Sequence, residues 1–277
     1  VQSGLYRVTY HGKESTAPVD LTPKVSPLRK LRHQLEAYHG KQDLAAILPA
    51  FEHLDHEDRF ISWAARTALE HQPMEQWYGF ALSEANPSRQ IPALLALARV
   101  AGVSPSQRPE EGHVVDVGMR SNLFSSLLNI DWDALNERDR LAYVRTIHPF
   151  FTRFGDPDQE TINQLIAKLD PVFPAKSFEL NWLLCETLAH LQAPNTAAKG
   201  MALIAAAESQ EPQMEYARSL RHLKTGWTPK LREQQLEWFL TAANYRGGAS
   251  FGKFIEFIRN DSLATFTAAE KKQHAEL

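Results

Sequence analysis

A single cysteine, Cys185, stands in 277 residues, which excludes an internal disulfide and any metal or haem-attachment motif built on several cysteines. Neither sign of charge dominates: 30 Lys and Arg stand against 33 Asp and Glu, for a net charge of -3. So small an imbalance gives no global attraction to nucleic acid or to an anionic membrane surface. Long apolar runs are missing as well. The longest, near Met201 to Ala207, is mostly alanine and far short of the roughly 20 residues that span a bilayer. There is no phosphate-cradling glycine loop, no serine-nucleophile elbow, no zinc-protease pattern and no paired catalytic carboxylate motif. The chain opens at Val1 without a basic-then-apolar leader, which reads as an excised or processed piece of something longer.

What is present is helical periodicity. From Asp58 to Leu69, Arg59, Ser62, Arg66 and Glu70 fall on one polar stripe. Phe60, Ile61, Trp63, Ala64, Ala65, Ala68 and Leu69 fill the rest of the surface, an arc wide enough to predict neighbours on most sides. This segment has an echo. Trp63, Leu69 and His71 are answered by Trp182, Leu188 and His190, and the cap Asp58 by Ser177. Gly79-Phe80-Ala81-Leu82 is answered by Gly200-Met201-Ala202-Leu203, Gly40 with Asp43 by Gly155 with Asp158, and Leu54-Asp55 by Leu169-Asp170. The order is kept at an offset of about 120 residues, as an internal duplication in a repeat protein requires.

Taken in order, Gly4 to Tyr10 alternates bulky and polar residues and predicts a lone strand, and Lys13 to Lys24 reads as a linker with Pro18 and Pro23. Helices are predicted from Ser26 to Tyr38, from Asp43 to Leu54 with a kink at Pro49, through Asp58 to Leu69, from Met74 to Ser83 and from Ser88 to Ala101. Val103 to Gly118, with Pro105, Pro109, Gly112 and Gly118, predicts a long loop. A second set follows at Asn136 to Phe154, Asp158 to Leu169, Ser177 to Leu191, Asn195 to Glu208 and Gln213 to Lys224. Thr228-Pro229 opens another helix that reaches Tyr245, Gly247-Gly248 breaks it, and Ser250 to Arg259 resumes. Thr267 with Glu270 forms a capping-box pattern. The expectation is an all-α solenoid of antiparallel helix hairpins, HEAT- or armadillo-like, with a short N-terminal strand remnant. Its divisions are a strand and linker (1–25), a first unit (26–102), a loop (103–120), a second unit (121–226) and a partial third (227–277), each full unit holding about five helices.

Candidate chemistry is thin. His53 and His56 flank Asp55, but they fall at a helix end and in a turn, and no second ligand pair accompanies them. His71 and His190 read as helix-end residues favoured by the dipole, since the sequence supplies neither an orienting carboxylate nor a nucleophile beside them. Cys185, next to Leu184, reads as core. Two basic clusters, Lys24, Arg29, Lys30, Arg32 and His33, then Arg218, Arg221, His222, Lys224, Lys230 and Arg232 around Trp227, could follow a phosphate backbone if brought to one face. Interleaved Glu208, Glu211 and Glu215 make solvated helix faces the cheaper reading.

GLYRVTYHG at the start, the helical repeats, and RGGASFGKFIEFIRNDSLATFTAAEKK near the end resemble the middle of large secreted planctomycete-type proteins. Those combine a sorbosone- or glucose-dehydrogenase-like β-propeller, HEAT-like repeats and a c-type cytochrome domain. The resemblance implies that Gly4 to Tyr10 closes a propeller and that Gly247 to Glu270 leads toward a haem domain. It also implies an extracytoplasmic location and a scaffold role between redox domains. The family's two-cysteine-plus-histidine haem motif has no counterpart beside the lone Cys185, so no catalytic residue carries over. The resulting expectation is a non-enzymatic interaction segment without cofactor, metal or membrane span. Its partner is expected to be another domain of the parent chain or a separate protein. A nucleic-acid-binding solenoid, or an enzyme whose site is assembled across repeats, is the alternative.

Overall fold

The computed structural model describes residues 4–20, 26–109 and 112–274. Fourteen α-helices form among them, and they sort by contact into two rows. One row is α1 (Pro27–Glu36), α3 (Arg59–Glu70), α5 (Pro87–Ala101), α7 (Glu137–Phe154), α9 (Phe178–His190), α11 (Gln210–Leu220) and α13 (Phe251–Ala264). Each of these packs on the next along the row. The other row is α2 (Ile47–His53), α4 (Tyr78–Ser83), α6 (Val117–Asn129), α8 (Gln159–Leu169), α10 (Thr196–Ala206) and α12 (Pro229–Ala242), each packed on the odd helix that follows it. The short α14 (Ala268–Gln273) closes the end. Neighbours meet more extensively along the odd row than along the even one. An all-α stack of helix pairs is therefore the architecture, as the periodicity predicts.

Contacts run between neighbours along the rows. Among the described residues α1 to α5 share no extensive contact with α9 to α14, so the stack is open-ended rather than closed into one globule.

The echo in the sequence lands on equivalent helices: α2 on α8, α3 on α9 and α4 on α10, each partner in the same row. With α6 counted, the period is six helices, or three pairs, rather than five. Helix α6 is absent from the sequence expectation because Gly118 and the prolines before it read as loop. The loop ends at Asp116, whose carboxylate accepts from the Met119 amide at 2.8 Å, and Met119, Leu123, Phe124 and Leu127 are buried at helical spacing. Gly118 costs one residue of propensity and the buried face outweighs it.

Other departures have equally local causes. Gly4 to Tyr10 forms no strand; Leu5, Tyr6 and Val8 stand in solvent, because no second strand among the described residues offers its ladder a partner. Pro49 does not kink its helix. The chain enters through a 3₁₀ turn at Leu44–Ala46, so Pro49 falls in the first turn of α2, where an amide N–H is not needed. Met74–Gln76 is likewise a 3₁₀ turn before α4, leading to the fully buried Trp77. Asp58 caps α3 through the Phe60 amide at 2.8 Å, but Ser177 makes no such bond at α9. Thr267 and Glu270 form the predicted capping box.

Side chains tie the turns together. Asp55, after α2, accepts from the Asn86 amide group and the Arg89 guanidinium, both at 3.1 Å, fixing the start of α5. Asp170, after α8, accepts from Asn195 at 2.7 Å and Lys199 at 2.9 Å, fixing the start of α10. Gly155 ends α7 at φ 74°, a left-handed turn that a side chain would resist.

Candidate functional site

Helix α3 positions the most distinctive surface feature. Ile61, Ala64, Ala65, Ala68 and Leu69 face the core, but Phe60 and Trp63 are 46% and 59% exposed, contrary to the wide buried arc that the sequence predicts. The small α3 residues let α1, α2 and α5 pack closely against it, which uses up the apolar arc and leaves the two rings on the open side of the odd row. Beside them runs a cleft of about 550 Å³ across three odd-row helices. It is lined by Arg59, Trp63 and Arg66 from α3, Leu95 from α5, and Arg138 and Arg145 from α7. Two smaller clefts share Phe60 and continue toward α1, where they meet Arg29 and Arg32.

Four guanidinium groups therefore converge on one groove, and they are unequally satisfied. Arg66 pairs with Glu70 at 3.3 Å; burial draws its pKa down, Glu70 draws it up, and Arg99 draws it down. Arg99 shares the same Glu70 carboxylate at 2.8 Å. Arg138 donates to the His56 carbonyl at 2.9 Å. Arg59 lies over the Phe60 ring at 4.8 Å. Among the described residues neither Arg59 nor Arg145 has a carboxylate within ion-pairing distance. Two nearby acids are already engaged: Glu36 with Arg32 at 3.1 Å, and Asp58 as the α3 cap.

Further along the odd row the same face is self-neutralised. Trp182, the counterpart of Trp63, lies beneath Arg218 at 5.7 Å, and Arg218 is held by Glu186 at 3.2 Å and Glu215 at 2.9 Å. Arg221 pairs with Asp261 at 3.2 Å. Arg232 is 1% exposed, sandwiched between Trp227 and Phe266 at 4.2 and 4.0 Å. The second basic cluster is thus largely core and closed ion pairs rather than a free track. Of the first cluster, Lys24 lies outside the described residues.

The histidines separate. His53 donates to the Pro49 carbonyl at 2.8 Å, and His56 Nδ1 accepts from the Asp58 amide at 3.0 Å, so both serve the α2–α3 turn. Among the described residues no group of three or more His, Cys, Asp or Glu side chains is arranged to hold a metal. His71 follows α3 and sits 6.1 Å from the His39 ring. His190 does have a carboxylate, Asp156 at 2.7 Å, brought from the turn after α7, which the sequence does not disclose. Both are about half exposed, and the ring rests on Phe151 rather than on a nucleophile. His148 bonds the Thr187 hydroxyl at 2.9 Å; burial lowers its pKa, Glu186 opposes this, and His190, Arg218 and Arg145 reinforce it. Cys185 is fully buried, and burial pushes its thiol up to about 12.

No protein-family model matches this chain, and neither a curated relative nor a solved structure matches it. No helix among the described residues is long and apolar enough to cross a membrane. The groove was not legible in the sequence because Arg138 and Arg145 lie far from α3 in the chain. The available signal was the Arg59, Phe60, Trp63, Arg66 run, in which two large rings sit directly beside the polar stripe.

Proposed function

We propose that this chain is a non-catalytic helical-repeat scaffold that binds a protein partner along the open face of its odd-row helices. The observation that carries the reading is the open stack itself: a row of seven neighbouring helices with a groove of exposed rings and four arginines on its free side, two of them, Arg59 and Arg145, without a carboxylate partner among the described residues. A surface of that kind suits recognition, because rigid aromatic area and arginine forks give binding energy at small entropic cost. In the setting suggested by the terminal motifs, the partner is a redox domain of a larger secreted protein, and the stack holds it in place outside the cytoplasm.

The test is site-specific photo-crosslinking in cells that make the parent protein. A photoreactive residue at Trp63 or Glu179 on the odd row is expected to trap a protein partner or a neighbouring domain. The same residue at Leu48 or Gln164 on the even row is expected to stay silent. Absence of adducts from the odd row, or trapping from the even row alone, overturns the proposal.

A further inference from the structure

Building on the scaffold reading, we infer that the groove across α3, α5 and α7 is a docking site for an acidic peptide segment carrying an aromatic side chain. The charge in the groove is supplied entirely by arginine, whose planar fork matches a carboxylate in a way that a lysine ammonium does not. Arg59 and Arg145 stand on opposite walls, on α3 and α7, without carboxylate partners. They would meet acidic side chains that leave an extended segment on both sides. Between them Trp63, with Phe60 beside it, is open to solvent and offers a ring to stack against.

The length of the basic surface selects a short segment over a polyanion. Toward α1 the track continues through Arg29 and Arg32. Beyond α7 the row closes on itself, with Glu186 and Glu215 clamping Arg218 and Asp261 holding Arg221. A nucleic acid following the row would find those cations already paired, and the chain as a whole carries net negative charge. An acidic segment spanning α1 to α7 meets Arg29, Arg32, Arg59 and Arg145, while Glu36 and Asp58 at the α1 end are taken up by Arg32 and by the α3 cap. The comparison within the fold points the same way. At α9 the equivalent tryptophan is already covered by the chain's own Arg218, whereas at α3 no side chain covers Trp63.

The test uses the full chain and fluorescence anisotropy with labelled 12-residue probes. These are a Glu-Glu-Phe repeat, a Glu-Glu-Ala repeat, a Lys-Lys-Phe repeat and a 12-nucleotide oligo-dT. The Glu-Glu-Phe probe is expected to bind tightest and to weaken as salt rises from 50 to 500 mM. Replacing Arg59→Glu and Arg145→Glu together is expected to weaken it by on the order of tenfold or more. A charge-matched control, Lys230→Glu with Lys253→Glu, is expected to leave affinity unchanged. Trp63→Ser is expected to erase the preference for Glu-Glu-Phe over Glu-Glu-Ala. Circular dichroism melting of each variant checks that the stack is intact. Tighter binding of oligo-dT than of Glu-Glu-Phe overturns the inference in favour of nucleic acid. Equal binding by the Arg59/Arg145 variant and the control also overturns it. If odd-row crosslinks persist in the Arg59/Arg145 variant, the groove assignment fails while the scaffold reading stands. If they are missing from the unmodified chain, the scaffold reading fails first.

Discussion

Arg232 offers the sharpest energetic test of how the stack is closed. Its guanidinium is almost fully buried between the Trp227 and Phe266 rings. It donates to Glu270 at 3.0 Å, Gln235 at 2.9 Å and the Thr265 hydroxyl at 3.1 Å. One side chain thus joins α12 to the end of α13 and to the cap of α14. Burial pulls its pKa below the ordinary arginine value and Glu270 pulls it back up, so it remains charged. Removing one partner of a buried, hydrogen-bonded ion pair costs about 3–5 kcal/mol, and a desolvated cation between rings adds up to about 2 kcal/mol. These terms overlap, and Glu270 keeps some solvent contact, so Arg232→Ala is expected to cost about 4 kcal/mol. Arg232→Met retains the packing and is expected to cost less, about 2–3 kcal/mol, for the stranded acceptors. Because each pair leans only on its neighbours, the loss belongs to one end of the array. Native-state hydrogen exchange is the assay. Amides of α12 to α14 are expected to open roughly a thousandfold more often in Arg232→Ala, with α3 to α7 unchanged. A cost under about 1 kcal/mol, or loss of protection spread evenly from α1 to α14, refutes the reasoning.

Three further outcomes follow from the same structure. Burial raises the pKa of Glu270, but the Thr267 amide, the Thr267 hydroxyl and Arg232 outweigh it and leave the carboxyl below its ordinary 4.5. A depressed acid stabilises above its unfolded pKa and loses that contribution as pH falls through the folded value. Urea midpoints should therefore drop on acidification below pH 4.5, with a smaller drop in Glu270→Gln; equal slopes would contradict this. Gly226 sits at φ 75°, and an added Cβ would collide with the Pro194 carbonyl oxygen. Gly226→Ala is expected to cost at least about 2 kcal/mol by urea denaturation, while Gly248→Ala, with open space around it, should be near neutral. Cys185, with its thiol pushed up to about 12 and no exposure, should resist a thiol reagent in native buffer and react once urea unfolds α9.

The sequence carried the helices well and the surface poorly, for different physical reasons. Caps and periodicity are local, so Ser26, Asp58, Asn136, Asp158, Thr228 and Thr267 marked helix starts that the structure keeps. The same locality hid α6, where Gly118 outweighed a sound buried face, and turned Pro49 into a kink when a preceding 3₁₀ turn made it harmless. Exposure of Phe60 and Trp63 depends on which side α1, α2 and α5 occupy, and periodicity alone does not choose a side. The His190–Asp156 pair and the meeting of Arg59 with Arg145 are products of stacking, invisible until the rows are assembled. Arg232 is the clearest instance: within a run of basic residues it reads as surface, yet two rings and a carboxylate from distant turns bury it.

Small-angle X-ray scattering from the chain beginning at Ser26 tests the open stack most directly, since the exposed leading segment then adds nothing. A compact fold of the remaining 252 residues has a radius of gyration of about 18 Å. Six spacings of 8–10 Å between the seven odd-row helices instead give a row about 58–70 Å long, one helix width of about 10 Å included. An open stack gives a radius clearly above the compact value and a pair-distance distribution with a long shoulder past 60 Å. A symmetric distribution centred on a radius near 18 Å would contradict it.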